Sequence, residues 1–282
     1  MKMNPEELKS AEILIGLALN EDACNNDITT GSLVPAMLRR KAVMISKAEG
    51  VVAGLPVAEM VFRKLDDSLE WNPRVEEGSQ INKGDILVEF TAGYRALLTG
   101  ERTALNFLQR MSGIATTSAK FAGALKGTGT KILDTRKTLP GFRLLDKYAV
   151  RMGGAFNHRM GLSDLYMIKN NHIKVADGIA NAVNTIRMKN KTGIQIEVET
   201  TTLDEVREAV ETGVDIIMLD NMNNKMMAEA VQIINGRAKT EASGNVTPER
   251  LKEIAATGVD YISSGMLTHS VIALDISQKI IE

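Results

Sequence analysis

The sequence predicts an α/β protein in two parts: a small mixed N-terminal domain, then a barrel-like run of βαβ units. Three observations carry this. Apolar periods of two and of 3.6 alternate irregularly up to about residue 110. Beyond residue 130, short apolar runs alternate with helical segments, the pattern of a parallel sheet. The last strand ends fall near 199, 220, 242 and 263, and such even spacing favours a closed barrel, with an open doubly wound sheet as the alternative.

Each element has its own signal. Pro5–Leu19 carries Leu8, Ala11, Leu14, Ile15 and Ala18 at helical spacing, with acids near its start where the helix dipole favours them. Lys41–Ala53 is β-branched and reads as strand, and Leu55–Leu65 returns to a helical pattern. Val75–Phe90 holds Gly78 and Gly84 between short apolar runs and reads as hairpin-linked strands. A long helix is expected from Thr99 to about Leu125, with Leu105, Leu108, Met111 and Ala115 on one face. Six strands follow, at Lys131–Leu133, Tyr166–Ile168, Gln195–Val198, Asp215–Leu219, Ala238–Glu241 and Asp260–Ser263. Between them the helical segments include Asp177–Met188, Leu203–Thr212, Lys225–Ile234 and Pro248–Ala256, the last introduced by Thr247 as N-cap.

Composition excludes several classes. With 282 residues, 44% hydrophobic and 24% charged, the chain can bury a sizeable core and is not a disordered or low-complexity sequence. Lys plus Arg number 34 and Asp plus Glu 35, a balance that argues against a generic nucleic-acid binder. The single cysteine, Cys24, excludes an internal disulfide or multi-cysteine zinc site and suggests a reducing compartment. No apolar run reaches the ~18 residues of a membrane span, and the N-terminus lacks a signal-peptide core. A soluble, cytoplasmic protein without a membrane partner is the expectation.

Chemistry concentrates where the later strands end. Leu133 is followed by Asp134, Thr135, Arg136 and Lys137; Ile168 by Lys169, Asn170, Asn171 and His172. Glu199 and Asp220 close the next two strands, and Ser243-Gly244-Asn245 and Ser264-Gly265 the last two. Parallel α/β folds gather their C-terminal strand ends at one mouth, so six polar groups are predicted to converge there. Any one of them could simply mark a turn; six in one register are poorly explained that way. Asp204, Glu205, Glu208 and Glu211 read as the solvated face of a helix, and Arg143, Lys147 and Arg151 at i, i+4, i+8 as an exposed stripe. Setting these aside leaves Arg136, Lys137, Arg159 and Lys169 against Glu199 and Asp220. The cations suit a polyanionic small molecule, and two strand-end carboxylates suit Mg²⁺ shared with substrate phosphates. The two Ser-Gly turns suit phosphate held on backbone N–H groups.

The segments GERTALNFLQRMSGIAT (100–116), DTRKTLPGFR (134–143), AVRMGGAFNHRMGLSD (149–164) and IKNNHI (168–173) resemble quinolinate phosphoribosyltransferases, also called nicotinate-nucleotide pyrophosphorylases (carboxylating). So do DITT (27–30), EVET (197–200), MLDNM (218–222), EASGNV (241–246) and SSGMLTHS (263–270), in order along nearly the whole chain. The resemblance implies a type II phosphoribosyltransferase. Its N-terminal α/β sandwich (1–112) would precede an incomplete, seven-stranded α/β barrel (113–268) and a tail (269–282) returning to the first domain. It implies transfer of phosphoribose from 5-phosphoribosyl 1-pyrophosphate to quinolinate with Mg²⁺, yielding nicotinate mononucleotide, pyrophosphate and CO₂ in de novo NAD biosynthesis. By the same resemblance, Arg136, His158, Arg159 and Lys169 bind quinolinate with Thr135, and Lys137 faces the co-substrate. Arg102 would enter a neighbouring subunit's site, making at least a homodimer, with a hexamer as the larger option. Glu199 and Asp220 match carboxylates near ribose, metal and pyrophosphate. Ser243, Gly244, Asn245, Ser264, Gly265 and Met266, with His269 close behind, match the 5′-phosphate loops. Lys169, Glu199 and Asp220 are then the candidate catalytic residues.

The sequence departs from the family's glycine triplet at Gly153-Gly154-Ala155, where Ala155 adds a methyl. Cys24 reads as a packed small hydrophobe, Trp71 as a domain-surface anchor and His172 as a residue that orients the Lys169 loop. Three other readings compete: a molybdenum-transport-associated phosphoribosyltransferase-like protein, a non-catalytic metabolite-binding homologue, and a nicotinate enzyme without decarboxylation. The intact IKNNH and the full set of charged groups favour quinolinate.

Overall fold

A computed structural model describes residues 2–190 and 192–281. By contact the chain forms two compact units that interleave along the sequence. One comprises the chain through Ala119, Thr138–Gly154 and Leu267 onward; the other comprises Lys120–Lys137 and Ala155–Met266.

The first unit begins with α1 (Pro5–Glu21), α2 (Ile28–Leu33), β1 (Arg39–Ser46), β2 (Gly50–Val51), α3 (Leu55–Leu65), β3 (Glu70–Pro73), β4 (Gln80–Ile81) and β5 (Ile86–Gly93). Asn4 and Glu7 form a reciprocal capping box that starts α1. Helix α4 follows (Tyr94–Ala124), longer at its N-terminus than its apolar stripe suggests. A four-stranded antiparallel sheet has β1 and β5 at its centre, β3 on one edge and the C-terminal strand, Ile276–Ile281, on the other. Phe62 and Phe90 pack with tilted rings 4.9 Å apart, and Trp71 lies 5.0 Å from Phe90. Trp71 thus extends an aromatic cluster at the sheet edge. The expected hairpin within Val75–Phe90 does not form: β4 pairs with β2, while β5 pairs with β1 and β3. Gly84 reverses the chain, but β4 is only two residues long and its partner lies elsewhere.

The segment after β6 (Lys131–Leu133) forms α5 (Arg143–Met152) and belongs to this first unit. Its basic stripe is not exposed, contrary to the helical-period reading. Lys147 is fully buried, and Arg151 reaches the buried Glu7 at 2.5 Å. Asp146, also buried, takes a bidentate pair from Arg110 at 3.0 and 2.8 Å. Periodicity shows which residues share a face; it cannot tell whether water or another helix covers that face.

The second unit continues with β7 (Tyr166–Ile168), α6 (Asn170–Ala176), α7 (Ile179–Lys189), β8 (Ile196–Thr200), α8 (Leu203–Thr212), β9 (Ile216–Asp220) and α9 (Asn224–Ile234). Then come β10 (Lys239–Ser243), α10 (Leu251–Ala255) and β11 (Tyr261–Ser263), followed by the terminal strand β12 (Ile276–Ile281) in the first unit. Six strands make a parallel sheet in the order β6-β11-β10-β9-β8-β7, as six apolar runs predict. The seventh strand that the resemblance implies is a single bridge. Phe156 pairs with Leu133, its N–H donating to Ile132 O at 2.9 Å and its carbonyl accepting from Asp134 N–H at 3.0 Å. Its neighbour Asn157 turns its side chain to Asp134, so the ladder stops after one residue and the barrel stays open between Phe156 and β7. The predicted helix at Pro248 starts as a 3₁₀ turn (Pro248–Arg250) before α10. Among the described residues no helix is long and apolar enough to cross a membrane.

Candidate active site

Every C-terminal end of this parallel sheet opens on the same side, and one cavity of about 380 Å³ lies there. Thr135, Arg136, Lys137, His158, Arg159, Lys169, Glu199, Asp220 and Ser243 line it, joined by Met167, Met218, Glu241 and Ser263. Nine of the predicted site residues therefore meet in one place, contributed by five different strand ends and by the Phe156 bridge segment.

On the cationic side, Asp134 organises two strand ends at once. Fully buried, it accepts Asn157 Nδ2 at 2.6 Å and the His158 backbone N–H at 2.8 Å. The 156–159 segment is thereby fastened to the end of β6. Arg136 and Arg159 then stand close enough to repel each other. Burial and, after it, the Arg136 charge hold the Arg159 guanidinium below its ordinary range. The buried Arg136 Nε has no hydrogen-bond partner among the described residues. Two guanidinium groups so placed suit an anion with more than one carboxylate. Arg159 is steadied by donating to Leu165 O at 3.2 Å, and Asp164 holds the next turn through the Gly161 N–H at 2.9 Å.

His158 sits beneath them. Its Nε2 lies 3.2 Å from Oε2 of Glu197 and of Glu241, an ion-pair distance, and none of the four glutamate oxygens has a well-formed hydrogen bond among the described residues. Burial alone would make the imidazole less basic. The two carboxylates beside Nε2 outweigh it and raise the ring to about 10. Glu197 is itself raised, by burial and then by the Glu241 charge. The ring's Nδ1 accepts the Arg159 N–H at 2.7 Å, so the proton these carboxylates hold is the one on Nε2. A second proton, on Nδ1, requires that the Arg159 amide turn away.

On the acidic side, Lys169 Nζ meets Glu199 Oε2 at 2.7 Å. His172 Nδ1 accepts the Lys169 N–H at 3.0 Å, so His172 orients that loop. Asp220 has its carboxyl raised by burial first and by the Glu199 charge second. Asn221, in the left-handed region at φ 55°, donates its Nδ2 to Asp220 at 2.9 Å and its N–H to the Ser243 carbonyl at 2.9 Å. The turn Ser243-Gly244-Asn245 has φ of 86° at Gly244 and 51° at Asn245. In the second turn, Ser264 donates its N–H to Leu133 O at 3.0 Å, and its hydroxyl accepts the Met266 N–H at 3.3 Å. Gly265 and Met266 lie in a 3₁₀ turn, Gly265–Leu267.

Two predicted residues belong to the other unit. Arg102, on α4, lines a separate cavity there with Glu21, Asp22 and Arg110; His269 is exposed, with Nδ1 2.6 Å from Ser270 Oγ. Sequence reading missed Glu197, Glu241 and Asn221 as site residues. A signal for the glutamates existed: Glu197 stands two residues before Glu199, and Glu241 two before Ser243, so each pair shares a strand face.

The family profiles for the N-terminal and C-terminal domains of quinolinate phosphoribosyl transferase match residues 27–112 and 114–279. The chain is 47% identical over 283 residues to quinolinate phosphoribosyltransferase [decarboxylating] 2, mitochondrial, of Nicotiana glauca, covering 94% of this chain and 80% of that protein. It is 45% identical to the chloroplastic nicotinate-nucleotide pyrophosphorylase [carboxylating] of Arabidopsis thaliana, over 95% of this chain and 82% of the relative. Among solved structures, the nicotinate-nucleotide pyrophosphorylase from Francisella tularensis superposes with a TM-score of 0.93 at 39% identity, covering 97% of this chain and 96% of that one.

Proposed function

The chain belongs to the quinolinate phosphoribosyltransferase family, and we propose that its parallel-sheet cavity carries out that family's pentosyl transfer with the residue roles that follow. The reaction joins quinolinate to 5-phosphoribosyl 1-pyrophosphate. Quinolinate and the co-substrate, with one proton, become nicotinate mononucleotide, pyrophosphate and CO₂, a step of NAD biosynthesis. One observation supports these roles above the others: Arg136, Lys137, Arg159 and Lys169 line a single cavity together with Glu199 and Asp220, with Lys169 paired to Glu199.

Arg136 and Arg159, with Thr135, hold the two adjacent carboxylates of quinolinate, which relieves the crowding of the guanidinium groups. His158 supports them from below. Lys137 faces the co-substrate. The Ser243-Gly244-Asn245 and Ser264-Gly265-Met266 turns hold its 5′-phosphate, with His269 near. Arg102 comes from a second copy of the chain, so the active species is at least a homodimer. Glu199 and Asp220 fit Mg²⁺, because both are hard oxygen donors and Asp220 is already disfavoured as an anion, by burial and then by the Glu199 charge. When bound there, the ion would neutralise the pyrophosphate.

Departure of pyrophosphate leaves positive charge at the ribose C1, which the two carboxylates are placed to stabilise. The quinolinate nitrogen forms the new bond to C1, and the ring becomes a pyridinium. Breaking the bond to the adjacent carboxylate releases CO₂ and leaves the electron pair on the ring carbon, where the cationic ring stabilises it until a proton arrives. Lys169 assists that second stage. Its test is Lys169→Ala: decarboxylation should slow by more than quinolinate binding weakens, and equal losses would remove the role. The single cysteine fits a reducing compartment, and cytoplasmic location is proposed on that ground; the relatives include mitochondrial and chloroplastic proteins.

The overall test supplies phosphoribosyl pyrophosphate and Mg²⁺ with either quinolinate or nicotinate, and follows CO₂ and mononucleotide. CO₂ and mononucleotide should appear one for one from quinolinate. Product from nicotinate alone, or none from either, would defeat the assignment.

A further inference from the structure

Asn221 connects two parts of the site that belong to different strands. Its backbone is left-handed, φ 55°, a conformation asparagine tolerates better than most residues. From there its side chain does two things. Nδ2 donates to Asp220 Oδ2 at 2.9 Å, and Oδ1 accepts Asn245 Nδ2 at 3.1 Å. The backbone makes the same crossing, since the Asn221 N–H donates to the Ser243 carbonyl at 2.9 Å. Gly244 is shaped around this side chain: a Cβ there would stand 2.2 Å from Asn221 Oδ1 and 2.6 Å from its Cγ. So one exposed side chain orients the β9 carboxylate and braces the turn that closes β10.

We infer that Asn221 is a positioning residue for phosphoribosyl pyrophosphate, setting the distance between the carboxylate at its pyrophosphate end and the turn at its 5′-phosphate end. This rests on the roles given to Asp220 and to the Ser243-Gly244-Asn245 turn above. The two ends of the co-substrate are joined by a rigid ribose ring. Their receptors must therefore be held at a matching separation, and independent strand ends would not keep it without a brace. Quinolinate, held by Arg136 and Arg159 on the other side of the cavity, does not depend on the brace.

The test uses the full-length protein and two readouts. Asn221→Gly keeps the left-handed backbone free of strain and deletes only the side-chain links; Asn221→Asp keeps the size but removes the Nδ2 donor and adds charge beside Asp220. Calorimetric titration of phosphoribosyl pyrophosphate in MgCl₂, without quinolinate, should show binding weakened about tenfold or more in both variants. In steady-state assays KM for phosphoribosyl pyrophosphate should rise comparably, while KM for quinolinate stays within about twofold. Gly244→Ala adds a second check: its loss in co-substrate affinity should be smaller on Asn221→Gly than on the wild-type chain, because the clash has gone while the φ penalty is common to both. Equal binding by wild type and Asn221→Gly, a parallel rise in both KM values, or additive losses with Gly244→Ala would each overturn the inference. If the wild-type chain binds phosphoribosyl pyrophosphate but forms no mononucleotide from quinolinate, the reaction assignment fails while the binding comparison still decides the role of Asn221. No binding by the wild type overturns both.

Discussion

At the scale of single residues, the buried acids determine how the charged groups behave. Glu197 and Glu241 favour a second proton on His158, against the Arg159 N–H that its Nδ1 accepts, so Glu241→Gln should lower the ring's pKa by at least about one unit, because an opposite charge at this range is worth 1–3 units. With three histidines in the chain, an NMR pH titration can follow it directly. A second acid offers a stability test. The half-buried Glu77 carboxylate accepts the Gly54 and Leu55 N–H groups at the start of α3 and the Tyr148 hydroxyl at 3.2 Å, yet burial raises it to about 6. A raised carboxyl binds its proton more tightly folded than unfolded. Stability should therefore fall as pH rises from about 4.5 to 6 and remain lower above that, by roughly 2 kcal/mol. Denaturation midpoints at pH 5 and pH 7.5 should differ less in Glu77→Gln than in the wild-type chain. The sequence shows all of these acids, but their neighbours lie tens of residues away, and no local pattern pairs them.

Elements were more legible than residues. Helices α3 and α8 span the predicted limits, and β6 and β7 begin and end where their apolar runs do. Both hydrophobic period and end signals operate within one turn or one strand, so such segments declare themselves locally. The failures were relational: the β4–β5 hairpin that does not pair, and α5, whose cations are covered. The glycine triplet shows the same division. A Cβ on Gly153 would lie 2.2 Å from the Ala115 carbonyl, whereas Gly154, at φ 80°, faces open space and Ala155 already buries its methyl. Gly153→Ala should cost about 1–3 kcal/mol from overpacking against rigid backbone, and Gly154→Ala about 1 kcal/mol from its backbone angle alone. Thermal denaturation of the two variants should rank them in that order. The departure from the family pattern thus falls at the one position of the three where a methyl is accommodated.

For the whole molecule, the reading that Arg102 serves a neighbouring copy gives a clear expectation. Arg102→Ala and Lys169→Ala should each be nearly inactive. Unfolded together and refolded as a mixture, they should recover roughly a quarter of wild-type activity, because half the dimers are mixed and each mixed dimer has one intact site. No recovery would place Arg102 in its own chain's site or outside any site. What the sequence determined by itself is the alternation of strand and helix, the polar residue ending each strand, and motifs ordered along nearly the whole chain. These are properties of neighbours in sequence. Only the tertiary structure decided that the sheet stays open beside Phe156, that Lys147 is covered, and that Glu197, Glu241 and Asn221 join the site. The physical reason is that strand ends distant in the chain meet through parallel pairing. Burial and charge at the meeting point are sums over residues that no local pattern brings together.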